Sequence, residues 1–489
     1  MARRSFLFVL FAFLLSVAVR APQLGRPLSA HHEYCTAVAL IILHNWYADG
    51  FLAHQGNPVI SFTDPADRIP EGYTTNPAVH DGVMYYFSHP PLAYDLPYAM
   101  FKAVGRPPDA LGLQVFNLFF HFIAALCLLL ALQEAVPGDP SAPVLAAMLY
   151  LFMPAPLWFH GNVYMSDMFV QVPWLMHLVV AMRLFHRKDV HDGRLSILFT
   201  TTLFLAVYTS WLGVFATVTG VGMALHSWRR DLDRRWLILA GSATVVAILA
   251  LALTAWRYTR IIDLSALLAY FQGRFAERGS FGVEAGIPAH LLRLITNYRL
   301  GYLPLFLLLG ALSIRRIAGR RGRSDASGVA LGTFIVLSGA PVLMDHAFLL
   351  QYADHDFAVL KAGPLLCGIA AIGLRPLRMP WRGVSVAAVC MAGVLYFYRI
   401  NPLPGSDAGR YALEKELGTT IASTADPQEM VFTLGFTPEP QVQWYAQRTL
   451  FRVDTMGRCN ELMRAQGSTR GIVFQYRDPA LTATRITAP

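Results

Sequence analysis

Histidines and carboxylates collect in a few short segments of the chain. These are His31-His32-Glu33-Tyr34, His80-Asp81, Tyr86-Phe87-Ser88-His89-Pro90-Pro91-Leu92 with Asp95 after it, His160 to Asp167, Asp345-His346, and Gln351-Tyr352-Ala353-Asp354-His355-Asp356-Phe357. A carboxylate or imidazole can take the proton of an attacking hydroxyl, and fixed cations can hold an anionic leaving group. Each segment also has a reading without chemistry. Glu33 precedes the apolar run Ala37 to Trp46, which closes at Gly50 and reads as a helix lying at a membrane interface. There Glu33 either steadies the positive helix end, worth about 0.3–1 kcal/mol, or serves as a general base. Pro90-Pro91 marks a loop-to-helix junction, which accounts for that segment apart from His89. Asn162 or Ser166 can cap the next helix while Asp167 favours its dipole.

The elements that must position these residues are membrane helices. Of 489 residues, 55% are hydrophobic and only 15% charged, and the mean hydropathy is +0.43; an ordinary soluble domain is more polar. The net charge of +9 comes from Arg clusters between apolar runs, the pattern of cytoplasmic loops, and this argues against nucleic-acid binding. The five cysteines lack C-x-x-C spacing and mostly fall in apolar runs, so neither a disulfide framework nor a thiolate zinc site is expected. Arg3-Arg4 and the apolar run Ser5 to Val19 resemble a signal peptide, but Arg20 and Pro22 spoil a cleavage site, and the segment is kept as a first span.

A spanning helix needs about 20 mainly apolar residues. Eleven spans are expected, near 5–21, 112–133, 141–158, 164–185, 195–209, 211–227, 236–256, 300–314, 328–350, 358–374 and 383–399. Residues 195–227 are read as two short helices meeting near Ser210 and Trp211, because one long helix would throw the later basic groups to the opposite side. The five basic groups, which begin at Arg3, Arg183, Arg229, Arg315 and Arg375, then share the cytoplasmic face. The segments 22–111, 160–167, 257–299 and 345–357 and the tail from about 400 face outward, and the carboxylates and histidines gather on that side. The expected architecture is an all-α polytopic membrane domain over 1–400, with 22–111 as its first extracytoplasmic loop, and a small extracytoplasmic α/β appendage over 401–489.

Together, Glu33, His89-Pro90-Pro91-Leu92 and Asp167 resemble the motifs of integral membrane glycosyltransferases with the GT-C fold, in particular the protein O-mannosyltransferase and aminoarabinose-transferase group (glycosyltransferase family 39-like). The resemblance covers residues 1 to about 400, and the HPPL element is its most specific part. It implies a multi-pass protein of the bacterial cell membrane that moves a sugar, by inversion, from a polyprenyl-phosphate donor to an acceptor hydroxyl on the extracytoplasmic face. The acceptor could be protein, lipid or glycan. The group usually has an Asp-Glu pair in the first outer loop where this chain has His32-Glu33. Either Glu33 is the base, or His32 replaces the Asp, or the chemistry has diverged; Glu33 is preferred, with His32 as its partner and Asp167 as a further catalytic carboxylate.

The implied leaving phosphate needs preorganised cations. Candidates are Lys361, set inside an apolar run, and Arg274, Arg278 and Arg293 in the loop 257–299. Tyr86, His89, Asp354, His355 and Asp356 are the further candidates to touch sugar or acceptor. Imidazole and carboxylate also suit Zn²⁺ or Mn²⁺, as in some GT-C relatives, but no H-x-x-x-H spacing occurs and no metal or other cofactor is assigned. The competing classes are a transporter or flippase for a lipid-linked substrate, and a non-catalytic GT-C-like subunit. Against transport stand the placement of acids and bases at helix ends rather than at the midplane and the lack of an internal repeat.

Overall fold

The computed structural model describes residues 2–29, 31–187, 191–280, 286–318, 327–405, 408–477 and 480–487. Among these, eight helices are long and apolar enough to cross a bilayer: Arg3–Gln23, Ala110–Ala135, Ser166–His186, Arg234–Tyr258, Ile287–Ile314, Val329–Phe348, Asp356–Gly373 and Met379–Ile400. A ninth span arises if Ser141–Phe152 and Pro154–Asn162, bent by 61°, are counted as one. The bend has a local cause. Pro154 forces Met153 into extended backbone (φ −71°, ψ 147°) and supplies no N–H to the helix before it.

Each of the eleven expected spans falls on helix, but eleven exceeds the eight or nine that length and composition support. The difference lies in the pair Gly193–Val207 and Trp211–Asp231, which part at Ser210 as expected. The first has only 15 residues, short of the ~20 that a span needs. The tight turn between them depends on Gly213, where a Cβ would lie 2.3 Å from the Ala206 carbonyl carbon.

Lipid faces are recognisable by exposed apolar side chains. Ser166–His186 is central and 89% buried, whereas Arg3–Gln23 and Met379–Ile400 are 28% and 22% buried and turn Phe8, Phe11, Met391 and Leu395 outward. The chain is therefore a polytopic membrane protein. All five cysteines are buried and unbridged.

The segment between the first two spans folds over one end of the bundle. It contains helices Tyr34–Ala48 and Leu92–Ala103 and a hairpin pairing Val79–His80 with Val83–Met84, turned by Asp81 (φ 51°) and Gly82 (φ 75°) as a two-residue hairpin requires. The helix Tyr34–Ala48 differs from the expected interfacial one. Ala37, Leu40, Ile42, Leu43 and Trp46 are fully buried, because Leu92–Ala103 on one side and Pro440–Ala446 on the other cover it.

Residues 408–487 form a small α/β unit. Its sheet runs in the order Leu450–Val453, Met430–Leu434, Arg470–Arg477, Ala480–Thr487, with the first three strands parallel and the last antiparallel. Ile421, Val442 and Ala446 pack on one face of the sheet, and Cys459, Leu462 and Met463 on the other. The unit is bolted to the first loop by Arg448 on Asp67 (3.0 Å to each carboxylate oxygen), by Gln441 donating to the Ser29 carbonyl (2.7 Å) and by the Leu28 N–H donating to Tyr445 Oη (2.7 Å). The last two anchors hold the backbone just ahead of His31-His32-Glu33.

Candidate active site

Three ionisable side chains meet in the interior at that end of the bundle. Lys361, in the 3₁₀ segment Asp356–Ala362, places its ammonium 2.9 Å from Asp167 Oδ1 and 2.9 and 2.8 Å from the two oxygens of Asp345. All three are at most 2% exposed. Asp167 lies in the first helical turn of Ser166–Phe169, where the helix dipole favours a carboxylate; Tyr352 Oη donates to its other oxygen (2.9 Å). Gly363 permits the approach, since a Cβ there would lie 2.7 Å from Tyr302 Oη. One ammonium thus faces two carboxylates and spends its donors on them.

A second cluster forms where the His31-His32 turn meets Asp356. His31 Nε2 bonds Asp356 Oδ2 at 2.9 Å, and His32 Nε2 lies 2.9 Å from Oδ1. His32 holds a left-handed backbone (φ 56°), a conformation uncommon for a residue with a Cβ and concentrated at functional sites. Its Nδ1 is buried and has no hydrogen-bond partner among the described residues. The ring packs against Tyr34, His355 and Phe357, at centroid distances of 5.7, 5.4 and 5.3 Å.

Those three residues belong to the wall of an open cavity of about 140 Å³, which is also lined by Tyr86, His89, Tyr94, Met165, Tyr352 and two arginines, Arg274 and Arg278. The arginines are four apart on helix Leu264–Arg278 and so share a face, while Leu264, Leu268 and Phe275 turn outward. Arg278 donates to His355 Nε2 at 2.6 Å; the ring proton therefore sits on Nδ1, 3.3 Å from Tyr34 Oη, which accepts it. Burial, then the charges of Arg278 and His32, pushes the His355 pKa down to about 4, so this imidazole is neutral. Arg274 bonds Glu277, and its Nε finds no partner among the described residues.

His89 is held by its neighbours rather than by its own ring. The Ser88 carbonyl accepts from Trp211 Nε1 (3.0 Å), and the His89 carbonyl accepts from Tyr258 Oη. Its Nδ1 has no partner among the described residues. Burial lowers its pKa to about 4, with Lys361, Arg274 and Arg278 pushing further down and Asp167 opposing. The cavity therefore presents two guanidiniums, neutral imidazoles and phenols, a donor-rich lining suited to an anion attached to a polyhydroxylated group.

Of the residues singled out in the sequence, Tyr86, His89, Arg274, Arg278 and His355 line this cavity. His32 and Asp356 stand behind its wall, and Asp167 behind Tyr352. Three expectations need correction. Glu33 is fully buried and accepts from Arg26 Nη1 and Nη2 (2.9 Å each) and from the Ser29 N–H and Oγ (2.5 and 2.6 Å); it braces the turn and does not line the cavity. Lys361 is committed to two carboxylates and does not reach for phosphate. Asp354 pairs with Arg293 and with His290 (3.4 Å), outside the cavity wall, which also removes Arg293 from the phosphate candidates. Arg26 was overlooked, and Tyr34, Tyr352 and Asp345 lay in the segments singled out but were given no role of their own. Asp345 carried a usable signal, an acid at the end of an apolar helix; the tyrosines carried none.

Glu33→Gln is accordingly expected to lower stability by about 3–5 kcal/mol, the effect of leaving Arg26 buried without its counter-charge. The molecules that remain folded keep their cavity. A lowered thermal midpoint with unchanged ligand binding per folded molecule is the expected outcome of a melting series in detergent.

No family model matches the chain, and no curated protein does. Solved structures do. The chain has the GT-C fold of membrane glycosyltransferases. ArnT from Cupriavidus metallidurans bound to undecaprenyl phosphate superposes with a TM-score of 0.61 at 14% identity, over 96% of this chain and 93% of that one; its apo form gives 0.63 at 13% identity over the same shares. The archaeal oligosaccharyltransferase AglB from Archaeoglobus fulgidus, in complex with an inhibitory peptide and a dolichol-phosphate, gives 0.56 at 11% identity over 96% and 69%. Among the described residues, no group of three or more His, Cys, Asp or Glu side chains is disposed to hold a metal ion.

Proposed function

We propose that the protein is a membrane glycosyltransferase that moves a sugar from a polyprenyl-phosphate carrier to an acceptor hydroxyl on the extracytoplasmic face. The observation that carries this reading is the cavity itself, which Arg274 and Arg278 line together with uncharged imidazoles and phenols. Solved structures of the same fold hold undecaprenyl phosphate or dolichol-phosphate, which supports a donor of that class. An isoprenoid stays in the bilayer at about 0.8 kcal/mol per buried CH₂, so only phosphate and sugar need reach the cavity.

In this reading the phosphate sits on Arg274 and Arg278, whose forked donors match its oxygens. Tyr86, His89 and Tyr34 orient the sugar. His32 is the general base. Its Nε2 lies 2.9 Å from the Asp356 carboxylate, and the free Nδ1 takes the proton of the acceptor hydroxyl as the oxygen bonds the anomeric carbon. The bond from that carbon to the phosphate oxygen breaks, and polyprenyl phosphate leaves with the electron pair. One displacement inverts the anomeric centre, and the proton on His32 then passes to solvent. His32 lies one side chain behind the empty cavity, and such contacts commonly tighten when substrate binds. Asp167 acts indirectly by holding Tyr352 in the wall.

The arginines supply the test. Arg278→Ala is expected to weaken binding of a polyprenyl-phosphate donor about 10- to 100-fold, the worth of one or two charge-assisted hydrogen bonds. Arg278→Lys should recover only part, and Arg293→Ala should leave binding unchanged. Equal losses in Arg278→Ala and Arg293→Ala would contradict the phosphate assignment.

A further inference from the structure

Helix Leu264–Arg278 has three faces rather than two. At about 100° per residue, the buried Leu267 and Tyr270 share an arc of about 80° with Arg274 and Arg278. This side meets the protein: Tyr270 Oη and Ser88 Oγ lie 2.8 Å apart. Beside it, Leu264, Leu268, Phe271 and Phe275 fall within about 60° of one another, and Leu264 and Leu268 are more than half exposed. Ser265, Gln272 and Glu277 occupy the remaining side and are exposed as well. A helix resting on protein and otherwise bathed in water needs one apolar face and one polar face. A further apolar stripe needs an apolar neighbour of its own.

The position of the helix in the chain supplies that neighbour. It follows the span Arg234–Tyr258, precedes the span Ile287–Ile314 and, at 15 residues, is too short to cross the bilayer itself. Trp256, more than half exposed at the end of the first of these spans, carries the Arg260 guanidinium over its ring at 5.5 Å, and an amphipathic ring of this kind sits at headgroup level. Leu291, Leu292 and Ile295 of the following span are exposed too, so the stripe continues a lipid-facing surface.

We propose that the bilayer is a partner of the site: helix Leu264–Arg278 lies along the membrane interface with Leu264 and Leu268 sunk at the boundary of headgroups and acyl chains, and this anchorage helps to hold Arg274 and Arg278 at the cavity. The strength of such an anchor follows the apolar area it buries. The arginines border the stripe on the helix circumference, so a phosphate meets them while its isoprenoid stays among lipid. That part rests on the assignment of Arg274 and Arg278 to the phosphate.

The five native cysteines are buried, so a thiol-reactive fluorophore can be directed to Leu268→Cys on the stripe or to Gln272→Cys on the polar side. In vesicles of phosphatidylcholine with brominated acyl chains, the label at 268 is expected to be quenched about threefold or more beyond that at 272, and aqueous iodide should give the opposite order. Equal quenching at the two positions by both agents overturns the proposal. In the same vesicles, Leu264→Ser combined with Leu268→Ser should weaken binding of undecaprenyl phosphate about 3- to 10-fold, because contacts such as Tyr270 with Ser88 still hold the helix in part. An embedded stripe with unchanged binding in the paired variant overturns the coupling to the arginines. An embedded stripe in a wild type that binds no polyprenyl phosphate overturns the phosphate assignment instead, while the interfacial helix stands.

Discussion

His32→Gln is expected to lower the turnover of sugar transfer by about 10² to 10⁴, the usual worth of a general base, while donor affinity stays near that of the wild type. Glutamine fills similar space and can still donate toward Asp356, but it has no basic lone pair to receive the acceptor's proton. The physical case rests on three facts. His32 Nδ1 is buried without a partner among the described residues, its Nε2 is held against a carboxylate at 2.9 Å, and its backbone is kept in a left-handed conformation. Single-turnover transfer and equilibrium donor binding, measured on the same preparation, separate loss of chemistry from loss of binding. A His32→Gln protein that turns over like the wild type would remove the base from this scheme.

The second large effect concerns stability. Lys361→Ala strips the ammonium from between Asp167 and Asp345 and leaves two buried carboxylates without a cation, which is expected to cost about 3–5 kcal/mol. Asp345→Asn in the same chain removes one of those charges, so the double variant should recover part of the loss. The measurement is the thermal midpoint in detergent for both single variants and the double. Strict additivity of the two losses would show that the groups do not interact, against the 2.8 and 2.9 Å contacts between them.

Much of the architecture was legible because lipid imposes simple rules. Apolar runs of about 20 residues, separated by Arg clusters, could only be spans, and the break at Ser210 followed from the need to keep those clusters on one side. The His89-Pro90-Pro91-Leu92 junction was legible too, since two prolines leave the chain few directions. The count of spans was less secure, because the bend at Met153 and the hairpin closed by Gly213 divide apolar sequence into pieces that hydropathy treats as full crossings.

The site was only half legible. Arg274 and Arg278 stood out as cations four apart, but nothing in the order of residues showed that Arg293 would instead meet Asp354. Glu33 drew attention for its motif, yet its role depends on Arg26 seven residues earlier, brought round by a turn that Gln23 and Ser29 hold. Pairings such as Lys361 with Asp167, or Asp356 with both histidines, join segments hundreds of residues apart and exist only once the bundle has closed. The seating of the α/β unit on Ser29 and Leu28 was equally invisible, since Gln441 and Tyr445 look like ordinary surface residues until the two surfaces meet.

The most direct test is transfer of labelled sugar from a panel of polyprenyl-phosphate sugars by the purified protein in liposomes, with His32→Gln beside the wild type and movement of labelled lipid between leaflets followed in parallel. The wild type should transfer the sugar or release it to water from at least one donor, with inversion, and His32→Gln should bind that donor without turning it over. Movement of intact lipid-linked sugar across the bilayer with no turnover of any donor would instead make the protein a transporter.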